Sequence, residues 1–257
     1  MKLANRLMRL AGGGPWTPAQ ITTALWLDAD DASTITLNGS TVSQWADRSG
    51  RGRHAAQVTP SYQPLLVSSG LNSKPVLRFD GVSDHMAGTV GLWSGNNDGA
   101  MFAVYTPRTT AANTCCSIFG QAPSNTANTW RMLQFRNQYV VGDPYFAGYS
   151  NDLTDSSAIT TAAKIAGYTY ISGVSTLYRN GSFVASGSKT LNSSGAYRIG
   201  YDSTNDHGFL NGDVAEIVAI SGSISGGDRQ KIEGYLAHKW ALTAELQVSH
   251  PYKTTAP

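Results

Sequence analysis

The sequence predicts an all-β chain, a two-sheet antiparallel sandwich of the jelly-roll type with one helix near its C-terminal end. Three observations carry this. Short segments of alternating polarity recur from Ile21 onward, Asn-Gly and other Gly-containing turns separate them, and one helical apolar stripe occurs, near the end. The composition agrees: charged residues make up 14% of the 257, below the roughly 25% of an average globular domain, with Ser, Thr, Asn and Gly in their place. Hydrophobic residues at 41% suffice for a substantial core.

The N-terminal stretch MKLANRLMRLAGGGP places Leu3, Leu7 and Leu10 at helical spacing beside Lys2, Arg6 and Arg9. It predicts a short amphipathic arm, residues 1–15, ended by Gly12 to Gly14 and Pro15, ahead of one β domain, 16–257. Arginines interrupt its apolar positions, so it lacks the pattern of a secretory signal, and no stretch is long enough to span a bilayer. PVLRFDG reads as a strand with Val76 and Arg78 on one face and Leu77 and Phe79 on the other. AMFAVYTP is a more apolar strand ended by Pro107. TWRMLQFR and QYVVG alternate, and STLYRNGSFVASG is a hairpin around Asn180-Gly181. AYRIGYD follows, then GDVAEIVAI, entered through Asn211-Gly212. In SISGGDRQKIEGYLAHKW, Ser225 caps a helix with Asp228 near its positive end. Ile232, Tyr235, Leu236 and Trp240 form the stripe, which is expected to pack on the sandwich edge. Cys115 and Cys116 are adjacent, so no disulfide framework is implied. A net charge of +2, from 19 basic and 17 acidic residues, gives nucleic-acid binding little support.

Several segments together resemble the laminin G-like and concanavalin A-like jelly rolls, as found in bacteriophage and marine bacterial proteins. They are LWLDADDASTITLNGSTVSQWADRSGRGRHAAQ, KPVLRFDGVSDHM, LYRNGSFVAS, YRIGYDSTNDHGFLNGDVAEIVAI and DRQKIEGYLAHKWAL, which cover the chain from about Ala24. The resemblance implies two antiparallel sheets packed face to face and does not fix function, because the fold hosts enzymes, lectins and scaffolds. In its opening segment Trp45, Asp47, Ser49, Gly50, His54 and Ala55 fill the recurring places. Trp45 is expected to pack inward and Asp47 with Ser49 to close a turn, leaving Arg48, Arg51 and Arg53 in solvated positions.

The glucanases of this fold use a Glu-x-Asp-x-(x)-Glu strand. Here Asp213 and Glu216 are at odd spacing, which in an unbroken strand points them to opposite faces. The five histidines show no metal-ligand spacing and there is no Gly-x-Ser-x-Gly elbow. No catalytic residue is assigned and a non-enzyme is expected. For binding, Tyr145, Phe146, Tyr149, Asn151 and Asp152, read as a loop, together with Trp93, are candidate glycan contacts. Asp202, Asn205 and Asp206 are a candidate calcium site; no other cofactor is expected. Leu3, Arg6, Leu7, Arg9 and Leu10 are candidate partner-docking residues. The expected role is a virion surface protein (capsid decoration, head fibre or tail component), made in the host cytoplasm. Its partners would be other virion proteins and host polysaccharide, with self-association and no nucleic acid or membrane. The alternative is a carbohydrate-binding lectin module of a bacterial cell-surface or secreted protein.

Overall fold

The structure is a computed structural model and describes residues 15–112, 115–138, 140–202 and 208–257. Seventeen strands lie among the described residues. In the first half of the chain these are β1 (Leu25–Asp28), β2 (Ile35–Asn38), β3 (Thr41–Trp45), β4 (Ala55–Ala56), β5 (Leu65–Leu71), β6 (Lys74–Asp80), β7 (Met86–Ala87), β8 (Gly99–Pro107) and β9 (Cys115–Gln121). The second half supplies β10 (Arg131–Gln138), β11 (Val140–Ala147), β12 (Leu153–Thr154), β13 (Lys164–Ile171), β14 (Val174–Arg179), β15 (Ser182–Ser188), β16 (Arg198–Ile199) and β17 (Asn211–Ser221), then the helix α1 (Gly226–Lys239).

The pairings are antiparallel and fold into two layers. One runs β15-β14-β13-β8-β17, with β6 on the first half of the far edge of β17 and β1 on its second half. The other runs β12-β11-β10-β9-β16-β7-β4-β3-β2. A single Thr41–Leu65 pairing, with β5 carried on β6, joins the layers. Between them Phe146 stacks on Tyr168 with ring centroids 3.9 Å apart, and Tyr105 lies parallel to Phe135 at 6.1 Å. These contacts make the antiparallel jelly-roll sandwich that the alternating segments predict.

Individual elements follow local chemistry. Asn180 and Gly181 take φ values of 50° and 74°, the left-handed pair that a two-residue hairpin turn requires. On β6, Leu77 and Phe79 enter the inter-sheet core while Val76 faces the other way. AYRIGYD yields only Arg198–Ile199 as strand, because Gly200 turns with φ 81° where a Cβ would lie 2.5 Å from the Phe79 ring. At the N-terminus of α1 the Ser225 hydroxyl accepts from Asp228 N at 3.0 Å. The stripe of α1 packs on the open face of the first sheet, not on the sandwich edge. Ile232, Leu236 and Trp240 bury against Phe102, Val104, Ile165 and Val218, and Tyr235 is partly buried beside them. A face offers a continuous apolar surface that an edge does not. The candidate arm residues Leu3, Arg6, Leu7, Arg9 and Leu10 lie outside the described residues.

The turn after β6 carries a pH-dependent group. Asp80 accepts from the backbone N–H groups of Val82, Ser83 and Asp84. Partial burial, then the Asp80 charge, push the Asp84 carboxyl up to about 6, against a bond from Asp80 N that lowers it. The folded chain therefore holds this proton more tightly than the unfolded one, whose value is about 3.9. Its stabilising contribution is full below the unfolded value and is lost as pH rises through about 6. For Asp84→Asn, the gain in thermal midpoint over the parent is expected to be near zero at pH 4 and to grow to a plateau above the folded value. A gain independent of pH would remove Asp84 as the cause.

Candidate functional site

The opening loop is built around one carboxylate. Asp47 accepts from Trp26 N and Ser49 N through Oδ1, and from the Ser49 hydroxyl and Arg53 N through Oδ2, at 2.7–3.0 Å. His54 Nδ1 accepts from Asp47 N, and Trp45 is fully buried. This is the turn expected from Asp47 and Ser49. Arg48 departs from expectation: it is not solvated but lies 4.0 Å over the Trp26 ring and pairs with Asp28 and Asp31. Two carboxylates and an indole face repay its partial desolvation. Arg51 is exposed; Arg53 is half-buried and donates to the Ala24 carbonyl at 3.3 Å.

These two arginines border a cleft of about 240 Å³ that is also lined by Thr22, Thr23, Ala24 and Ser221. Ser221, at the end of β17, also lines a larger cleft of about 510 Å³, whose walls include Thr89, Trp93, Ser94, Asn97 and Ser194. The two therefore meet at one end of the sandwich. Their walls carry hydroxyls, an amide and main chain, with the edge of one indole. Trp93 is 3% exposed and its Nε1 donates to the Ile220 carbonyl, so it forms a wall and not a stacking platform. Gln121 fixes this wall by accepting from Leu92 N and Trp93 N. Behind it, fully buried Arg131 lies 5.2 Å from the Trp93 ring and 5.0 Å from the Tyr170 ring. Its Nη2 donates to the Asn97 carbonyl, while Nε and Nη1 have no hydrogen-bond partner. Burial pulls its pKa down to about 10. The sequence gave no local signal for this site, whose walls come from separate chain segments.

The aromatic candidates from sequence fall elsewhere. Tyr145 and Phe146 are not in a loop but in β11, where they are 2% and 0% exposed. Phe146 is in the core, and the Tyr145 hydroxyl donates to Asp152 Oδ2 at 2.5 Å. Asp152 Oδ1 accepts from Gly148 N, and Asn151 Nδ2 donates to Asn128 Oδ1 and the Thr190 carbonyl. Tyr149 leans on Trp130 with centroids 5.3 Å apart. This cluster spends its polar groups on its own turn. Asp202 is buried, with Ser117 Oγ 3.4 Å from its Oδ2, while Asn205 and Asp206 lie outside the described residues. Among the described residues no group of three His, Cys, Asp or Glu side chains is placed to hold a metal ion.

Asp213 and Glu216 lie on the same face, contrary to the alternation argument. The register of β17 on β8 pairs Val214 with Tyr105 and Glu216 with Val104, so Ala215 is an extra residue and the strand is bulged. Asp213 pairs with Arg78, on the outer face of β6, at 2.8 Å. Glu216 points into the layer under α1, accepting from Trp26 Nε1 and Trp240 Nε1 at 2.6 and 2.7 Å. Lys239 bridges it to Asp28 at 2.8 and 2.5 Å.

No family model matches the chain, and no curated protein matches it. Solved structures do. An arabinofuranosidase complexed with arabinofuranosyl-α-1,2-xylobiose aligns with TM-score 0.61 and 15% identity, over 82% of this chain and 58% of that one. This chain thus spans less than two thirds of that enzyme's length. Domain 4 of AbnA, a GH43 extracellular arabinanase from Geobacillus stearothermophilus in complex with arabinotriose, aligns with TM-score 0.57 and 14% identity, over 82% of this chain and 98% of that one. The binding domain of botulinum neurotoxin serotype D gives 0.55 and 14%, over 80% and 49%. At these identities the likeness shows the sandwich fold. It also corrects the expectation of a non-enzyme. Chains with this fold include arabinofuranosidases, and the opposite-face premise behind that expectation fails at the Ala215 bulge.

Proposed function

We propose that this chain is a carbohydrate-binding domain that holds a glycan along the joined clefts at the Ser221 end of the sandwich. The observation that carries this reading is the shared Ser221 wall, which turns two polar clefts into one groove long enough for several sugar units. Hydroxyls, amides and main-chain groups at fixed positions suit the many hydroxyls of a saccharide, and guanidinium donors at one end add orientation. Two similar structures support the reading, since their titles name bound arabinose-containing oligosaccharides. The virion attachment expected of residues 1–14 is a separate matter and lends this site no weight.

The test uses the full chain. Affinity gel electrophoresis against a panel of neutral and acidic polysaccharides, arabinan among them, is expected to retard the parent on at least one polymer. Ser221 is exposed, so Ser221→Trp is expected to fill the junction, abolish retardation and leave the thermal midpoint within a few degrees. Retardation that survives in Ser221→Trp would place the site elsewhere. Reducing-end release on the same panel distinguishes binding alone from turnover in the groove.

A further inference from the structure

Building on the proposed groove, we infer that its ligand is an anionic glycan, a polymer bearing uronate carboxylates or sulfate esters. Three guanidinium groups border the groove. Arg51 is exposed at the smaller cleft, and Arg53 beside it gives one N–H to the Ala24 carbonyl. A guanidinium carries five N–H donors in a planar fork that matches carboxylate and sulfate oxygens. The third, Arg131, lies behind the larger cleft against two of its wall residues, Trp93 and Asn97.

Arg131 is the informative member. A fully buried arginine ordinarily has its N–H groups satisfied, because a buried charge without partners is costly. Here Nε and Nη1 have none. Asp98 is near enough to act on Arg131 through its charge, but its own oxygens accept from Ser172 N and Ser223 Oγ. Neither cleft has an Asp or Glu among its lining residues. The groove is thus a local positive site on a chain whose net charge is only +2. An acidic sugar would gain from the positive charge of all three arginines, in a cleft where water screens less than at an open surface. A neutral polymer would leave that charge unused.

The test pairs each charged polymer with its uncharged counterpart: polygalacturonate with its methyl ester, and dextran sulfate with dextran. Binding of the full chain is measured at fixed ionic strength, because polyanion binding is salt-dependent. The parent is expected to bind one or both charged polymers at least tenfold more tightly than the counterpart, and the pair that responds names the anion. Arg51→Ser/Arg53→Ser is expected to weaken that binding about tenfold for each guanidinium removed. Should the double variant melt early, Arg51→Ser alone carries the test. The control is Arg108→Ser, a partly exposed arginine beside Asp213 at the other end of β17. Equal losses in Arg108→Ser and the groove variant would reduce the effect to non-specific attraction and overturn the inference. Equal affinity for charged and uncharged polymers, lost in Ser221→Trp, would overturn it while leaving the carbohydrate reading intact. No binding to any polysaccharide would overturn both.

Discussion

Replacing Glu216 with Ala is expected to cost about 3–5 kcal/mol, a large share of the roughly 5–15 kcal/mol that holds a typical domain folded. Glu216 is fully buried opposite Asp28 in the β1–β17 register. Its Oε1 accepts from Trp26 Nε1 and the Tyr235 hydroxyl, and its Oε2 from Trp240 Nε1 and Lys239 Nζ. Burial pushes its carboxyl up, and the Lys239 ammonium pulls against that. Four donors from three elements converge on one acid, so its removal strands two indole N–H groups and leaves Lys239 with Asp28 alone in the layer. Glu216→Gln keeps the volume but turns an amide NH₂ toward groups that can only donate, and should cost nearly as much. Urea unfolding followed by tryptophan fluorescence measures both. A loss below about 1 kcal/mol in either variant would mean that the network is solvated or rearranges at little cost.

What was legible in the sequence is what local chemistry decides. Asn180-Gly181 specifies its own left-handed turn, Ser225 caps α1, and Asp47 gathers the N–H groups of a turn six residues long. What was illegible depends on a partner strand. Gly142, Pro144 and three nearby Asx residues make QYVVGDPYFAGYSNDLTD look like a loop, yet Val140–Ala147 is a strand. Its register pairs Tyr145 with Gln134 and Gly142 with Arg136, so Asp143 and Pro144 bulge opposite Phe135 and no ladder bond is asked of the proline. The Ala215 bulge is equally silent, since only β8 fixes it, and one extra residue was enough to reverse the face argument for Asp213 and Glu216. Lys164–Ile171 is buried on both faces and lacks the alternation that would announce a strand. The groove is legible least of all. Thr22, Arg53, Trp93, Ser194 and Ser221 meet only after both sheets have formed.

Trp45→Ala is expected to cost about 3–5 kcal/mol, the range for truncating a buried large aromatic side chain. The ring sits at the end of β3 with no exposed surface, in the inter-sheet cluster that includes Val42 and Ala55. The indole Nε1 is buried and has no hydrogen-bond partner, so what the site holds is ring volume and not a polar contact. Trp45→Phe therefore gives up no hydrogen bond and relieves an unsatisfied donor, at the expense of a partly filled cavity. It should cost less than about 1.5 kcal/mol, as near-conservative core swaps do. Arg51→Ser, six residues on and exposed, should change stability by less than about 1 kcal/mol. Denaturant melts of the three variants give the ordering. Trp45→Phe falling as far as Trp45→Ala would mean that the N–H has a partner worth keeping. Arg51→Ser falling furthest would make the loop's charges, and not its tryptophan, the fastening between the opening turn and the sandwich.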